Sequence, residues 1–306
     1  MNHYAIKLAL SLALCAGGLV VPQAALAAKA KGKAAKAAAE KKASAAGKAS
    51  AEKPAAEKAP AAEKGLSARD IMEKVAVTKK LDGSEAVIKM TMIDEKGGKR
   101  ERELTSATKL FDGGKTEKRV FKFLSPAEVK GTGFLVFDYE SKPDDAWIFM
   151  PALRKNRRIL SSNSGQQFMG SEFTYGDLNT PSLDDYNYTL GKEVPCAGES
   201  CYVVDAVPKK KETATADGYA KRTYWVSKTK FVPIKILHFS ADGKLIKEMN
   251  ASQIKLIDAK KKRYRTLRNE MINKQNKQRS IFEFTKITSS PNVKDEYFTT
   301  SFIERG

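Results

Sequence analysis

Between Ala86 and Ile287 the chain is a succession of short runs rich in β-branched and aromatic residues, broken by glycine-containing dipeptides. Runs of that length, bounded by turn residues, are strands and not helices. Ala86–Ile93 alternates with period two: Ala86, Ile88, Met90 and Met92 fall on one face, Val87, Lys89, Thr91 and Ile93 on the other. The same character recurs at Arg119–Leu124, Gly133–Tyr139, Ala146–Met150, Arg157–Leu160, Tyr202–Val207, Ala220–Ser227, Pro233–Phe239, Leu245–Ile257, Tyr264–Asn273 and Ser280–Ile287. Four Asp-Gly pairs (Asp82-Gly83, Asp112-Gly113, Asp217-Gly218, Asp242-Gly243) supply the positive φ of hairpin turns, and Gly97-Gly98 does the same. One helix precedes the strands. Ser67 and Asp70 form a capping-box pattern, Ile71, Val75 and Thr78 follow at helical spacing, and Asp82-Gly83 stops it. Roughly eleven strands and one short helix make an antiparallel all-β body, a sandwich or a barrel.

The segment ahead of that body has a different composition. Met1–Ala27 reads as a cleaved secretory signal: Lys7 is the positive start, Leu8–Val21 the apolar core, and Ala25-Leu26-Ala27 the small-x-small cleavage site. The apolar stretch ends at Pro22, short of the roughly 20 residues of a membrane span. Cys15 leaves with the signal. The expected compartment of the mature protein is the bacterial periplasm. Residues 28–64 hold 10 Lys, 4 Glu and 17 Ala with no aromatic residue, and cannot bury enough apolar surface to fold. They read as a disordered spacer, or as an electrostatic leash to an anionic membrane surface. The chain carries 55 Lys+Arg against 36 Asp+Glu, a net charge of +19, yet export and the lack of stacking aromatics in the basic segment argue against nucleic acid. Residues 65–306 form the folded domain, long enough to bury a core without metal or a disulfide framework. Cys196 and Cys201, with four residues between them, read as a structural disulfide pinning the start of the Tyr202 strand.

Catalytic constellations are hard to find. The two histidines are His3 and His238, and His238 alternates with apolar residues as a packed strand residue does. Asp144-Asp145 and Asp184-Asp185 are neighbours that point to opposite faces of a strand, and read as solvated loop ends. Gly131-Thr132-Gly133 lacks the third glycine and the helix of a nucleotide loop. Neither an enzyme nor a cofactor is expected. What remains is large apolar content on both faces of single strands: Phe121 and Phe123 alternate with Val120 and Leu124, and Trp147 and Phe149 with Ile148 and Met150. Two covering layers would satisfy such strands, and so would a cavity for an apolar ligand.

Two blocks give a resemblance. Trp147-Ile148-Phe149-Met150-Pro151-Ala152-Leu153-Arg154-Lys155-Asn156-Arg157-Arg158-Ile159 and Phe168-Met169-Gly170-Ser171-Glu172-Phe173-Thr174-Tyr175-Gly176-Asp177-Leu178 resemble the LolA-like outer-membrane lipoprotein-sorting proteins, in the periplasmic branch associated with RND-type exporters. Phe123-Leu124-Ser125-Pro126, Gly131–Leu135 and Cys201–Val204 fit the same pattern, so the likeness spans about residues 66–304. It implies an incomplete antiparallel β-barrel of about eleven strands, with a short N-terminal helix and a helix or loop lid over a hydrophobic cavity. It further implies a carrier for lipid or lipoprotein acyl chains, working with an RND-type transporter. A lipid-sensing or regulatory domain is the alternative, because similar half-barrels serve in stress signalling. The residues expected against the ligand are Ile88, Met90, Met92, Phe121, Phe123, Trp147, Phe149, Phe168, Met169, Phe173, Tyr175 and Trp225. Arg154, Arg157 and Arg158 are expected at a headgroup or partner rim.

Overall fold

The computed structural model describes residues 65–305; the expected signal with Cys15 and the expected Lys/Ala-rich spacer lie outside them. Helix α1 (Ala68–Lys79) opens the described chain, and Ser67 caps it in the expected box: its hydroxyl accepts from the Asp70 N–H while its own N–H donates to the Asp70 carboxylate. Fourteen strands follow. They are β1 (Gly83–Ile93), β2 (Lys99–Phe111), β3 (Thr116–Ser125), β4 (Gly133–Tyr139), β5 (Asp145–Met150), β6 (Lys155–Ile159), β7 (Tyr186–Leu190), β8 (Val194–Cys196), β9 (Glu199–Pro208), β10 (Lys221–Ser227), β11 (Pro233–Phe239), β12 (Leu245–Asp258), β13 (Arg263–Asn273) and β14 (Arg279–Ser289). Two short helices complete the fold, α2 (Lys211–Asp217) between β9 and β10 and α3 (Thr300–Glu304) at the end.

All strands join one antiparallel sheet in the order β6-β5-β4-β3-β2-β1-β14-β13-β12-β11-β10-β9-β7, with β8 paired to β9. The two ends of this path do not pair, so the barrel is incomplete, as expected. Fourteen strands replace the expected eleven because β2, β7 and β8 carry too little apolar alternation to be read from sequence. The Asp-Gly expectation is corrected at two of four positions. Asp112-Gly113 and Asp242-Gly243 do turn hairpins, with Gly113 and Gly243 at φ +67° and +77°. Asp217-Gly218 instead caps the C-terminus of α2. Asp82-Gly83 leads from α1 into β1, where a Cβ on Gly83 would lie 2.2 Å from the Ser290 carbonyl oxygen.

Register assigns the two faces. Across the sheet Phe284, Ile88, Leu104 and Phe123 lie opposite one another on the concave side, as do Ile287, Ala86, Ser106, Phe121, Phe134 and Ile148. Ala107, Val120, Leu135 and Trp147 follow each other on the convex side. That side is covered by the C-terminal segment through Val293, Phe298 and Ile303. Gly133 makes the close approach possible, because a Cβ there would meet Ile303 Cβ at 2.6 Å. Strands apolar on both faces are thus explained by covers on both sides. The concave side is covered by α1, which buries Ala68, Ile71, Met72, Val75 and Thr78, and by the segment between β6 and β7. The Cys196–Cys201 disulfide is present and closes the β8–β9 hairpin, as expected.

Candidate functional site

The segment between β6 and β7 packs its own side chains into part of the concave side. Phe168 is 1% exposed, with ring centroids of Phe121, Phe123, Phe134, Tyr175 and Phe282 between 5.3 and 6.1 Å from its own. Phe173 stacks on Phe282 at 4.4 Å. Beyond this aromatic plug the sheet and α1 separate, and a cavity of about 310 Å³ remains. Its apolar wall comes from Ile88, Phe121, Met249, Met271, Phe282, Phe284 and Ile287 on the strands, with Met72, Val75 and Ala76 of α1 opposite. Ligand pockets run from about 300 Å³ upward, so the space suits a small guest.

One end of this cavity is charged. Arg119 is buried and donates to Glu117 at 2.9 Å, to Asp138 at 3.3 Å and to the Leu178 carbonyl. Burial disfavours ionisation of Glu117, but Arg119, Arg265 and Lys79 outweigh it and hold the carboxyl below its ordinary range. Lys79, at the C-terminal end of α1, and Arg265, on β13, line the same end of the cavity. Burial, and next the Arg119 guanidinium, push the Lys79 ammonium down to about 8. Glu117 and Asp138 give their ion pairs to Arg119, leaving Lys79 and Arg265 without one among the described residues. The buried Nε of Arg265 has no hydrogen-bond acceptor there. A second polar group is satisfied internally. Arg222 donates to Asp217 at 3.0 Å and to the Tyr186 hydroxyl at 3.1 Å, and Tyr219 donates to Asp177 at 3.1 Å. Near the covering segment Asp144 accepts from Asn179 at 2.8 Å; burial, and next Asp138, raise its carboxyl to about 7. No cluster of three or more His, Cys, Asp or Glu side chains fit to hold a metal occurs among the described residues.

A family model described as "uncharacterized protein"-like matches residues 115–305, more than half of the chain. The chain belongs to that family. Among solved structures it is similar to an assigned outer-membrane lipoprotein-sorting protein domain from Vibrio parahaemolyticus, at 25% identity and TM-score 0.70, covering 78% of this chain and 98% of that one. A DUF1329 family protein from Desulfovibrio piger matches at 24% identity and TM-score 0.70, covering 77% and 97%. A LolA superfamily protein from Nitrosomonas europaea matches at 20% identity and TM-score 0.59, covering 78% and 100%. These likenesses make the fold LolA-like, in agreement with the resemblance drawn from the two central blocks. No curated protein matches the chain.

The residues expected against a ligand divide into three groups. Ile88, Phe121 and Phe173 line the cavity. Met90, Met92, Phe123 and Phe168 lie in the packed core beside it, with Met169 and Tyr175 packed against that core. Trp147, Phe149 and Trp225 do not face the hollow, and their assignment is corrected. Trp147 and Phe149 point to the convex side beneath the C-terminal cover, and Trp225 to the same side with Lys235 Nζ 5.6 Å from its ring. Alternation says that a strand has two apolar faces but not which of them is concave; only the pairing register does. Arg154, Arg157 and Arg158 are exposed at and beside edge strand β6, where Arg158 pairs with Asp145, and none lines the cavity. The wall from β10–β14 and α1, including Tyr224, Ile236, Met249 and Arg265, was not anticipated. The period-two pattern of β13 and the amphipathic repeat of α1 were the signals that could have supplied part of it.

Proposed function

We propose that the protein is a non-enzymatic periplasmic carrier that shields acyl chains of lipid or lipoprotein and passes them between envelope components. The observation that supports this most is the apolar hollow between α1 and the concave sheet, which the chain's own side chains leave unfilled. Each buried methylene is worth about 0.8 kcal/mol, so exposing a sixteen-carbon chain to water costs on the order of 12 kcal/mol. A carrier must offset most of that cost yet bind less tightly than the acceptor, and handover then follows differential affinity with no covalent step. The Vibrio relative's assignment to lipoprotein sorting agrees with this reading. Cleavage after Ala27, a spacer over 28–64 that contacts anionic membrane, and an RND-type transporter as partner complete the proposal.

Native mass spectrometry of the purified protein with lipid extraction tests it. A bound species in the mass range of a lipid or acylated peptide is the expected result. Protein that is free of such mass and takes up no fluorescent apolar probe would count against carriage.

A further inference from the structure

The charged end of the hollow is poorly matched to a plain hydrocarbon. Arg119, Lys79 and Arg265 face Glu117 and Asp138, with Asp144 beside Asp138 pushed towards its neutral acid by burial, and Arg119 alone takes both Glu117 and Asp138 in ion pairs. Lys79 and Arg265 are then two half-buried cations that line the cavity, and the buried Nε of Arg265 lacks any acceptor among the described residues. Holding a cation partly away from water without an ion pair of its own is costly, and an apolar side chain at either position would line a hydrocarbon pocket better. Ser84, Ser106 and Thr108 continue the polar surface at this end, whereas Ile88, Phe121, Met249 and Phe282 carry the wall onward as apolar. The hollow is therefore amphipathic along its length. Its volume of about 310 Å³ lies at the lower limit for ligand pockets, room for one slender chain and not for several.

We propose that the cavity takes a single-chain anionic amphiphile, its carboxylate or phosphate head against Lys79 and Arg265 and its chain along Ile88, Phe121, Met249 and Phe282. This rests on the carrier reading and narrows it to a ligand that enters with its charged head inside. The anion completes the charge balance that the protein leaves open. Arg119 stays engaged with Glu117 and Asp138.

The experiment uses the lipid-stripped purified chain and the neutral fluorescent probe N-phenylnaphthylamine, displaced by laurate or dodecyl phosphate below their micelle concentrations or by dodecanol below its solubility limit. Uptake of the probe reports the apolar hollow whatever the head chemistry. Laurate, dodecyl phosphate or both are expected to displace it at concentrations at least about tenfold below dodecanol, the advantage a hydrogen bond to a charged group gives. Comparing the two anions separates carboxylate from phosphate, and inorganic phosphate alone should displace nothing. Lys79→Met with Arg265→Met should erase the preference while probe uptake persists, and Arg265→Lys should retain much of it. Equal displacement by dodecanol and both anions in the parent chain overturns the proposal and leaves carriage intact, as does a preference that survives the double substitution. Should the double variant not fold, the parent and Arg265→Lys comparisons still decide. Failure of every amphiphile and of the probe to bind sinks the carrier reading itself.

Discussion

His238 shows how far a single side chain can set the conditions under which the fold persists. It is 2% exposed, its ring tilted against that of Tyr219 with centroids 4.4 Å apart, with Asp177 3.8 Å from Nε2 and no partner at Nδ1 among the described residues. Burial pulls its imidazole down to about 4; Asp177 acts in the opposite sense without prevailing. The unfolded chain therefore binds the proton more readily than the folded one. This cost is absent above about pH 6.5 and grows as pH falls towards 4. Asp144, raised to about 7, works the other way: the folded protein holds its proton more tightly, so that term lowers stability as pH rises from about 4 to 7. The two slopes oppose each other, and the parent curve alone cannot separate them. His238→Phe keeps an aromatic ring against Tyr219 and removes the imidazole. Denaturant titrations at pH 7 and pH 4.5 should show the variant gaining about 2–3 kcal/mol on its parent over that interval. A constant difference between the two proteins would refute the assignment.

The segment between β6 and β7 is the element on which the size of the hollow depends. Phe168 occupies concave space that a guest would otherwise reach through Phe121 and Phe173, both of which line the cavity. Phe168→Ala should destabilise the fold by about 3–5 kcal/mol, as removal of a buried ring does. If the vacated space joins the hollow, the variant should hold longer chains than its parent, read as bound mass by native mass spectrometry. This element also marks where sequence reasoning stops. Gly133–Tyr139 and Pro233–Phe239 were legible to the residue, because their apolar runs are bounded by glycine and proline. Lys99–Phe111 was not: it opens Lys-Arg-Glu-Arg-Glu, all exposed to water except the half-buried Arg102, so no apolar face announces the strand. The capping box of α1 was legible because its hydrogen bonds are local. The charged end of the cavity was not, because Lys79 on α1 and Arg265 on β13 are distant in sequence and meet only once the helix packs across the sheet. Trp147 was placed on the wrong face for a related reason: long-range register decides sidedness.

At the scale of the whole molecule, the cavity is roofed by two pieces that meet through Arg69. Its guanidinium donates to Asp184 at 2.7 Å and to the Leu183 carbonyl at 3.4 Å, tying α1 to the segment before β7. Both side chains of the ion pair are substantially exposed, so its contribution to stability is small and sensitive to salt. Arg69→Ala should leave stability nearly unchanged yet speed release of a bound fluorescent probe by a few-fold in stopped-flow at low salt. Raising the salt should bring the parent towards the variant's rate. Identical release from both at low salt would remove this contact from any gating role. The unjoined margins at β6 and β7 bear on the same behaviour. In a closed cylinder, strand number and stagger set the bore, and widening it means breaking main-chain bonds. Here the curved sheet has two unpaired margins, so on the carrier reading a guest of greater girth would require no rung of the backbone ladder to break.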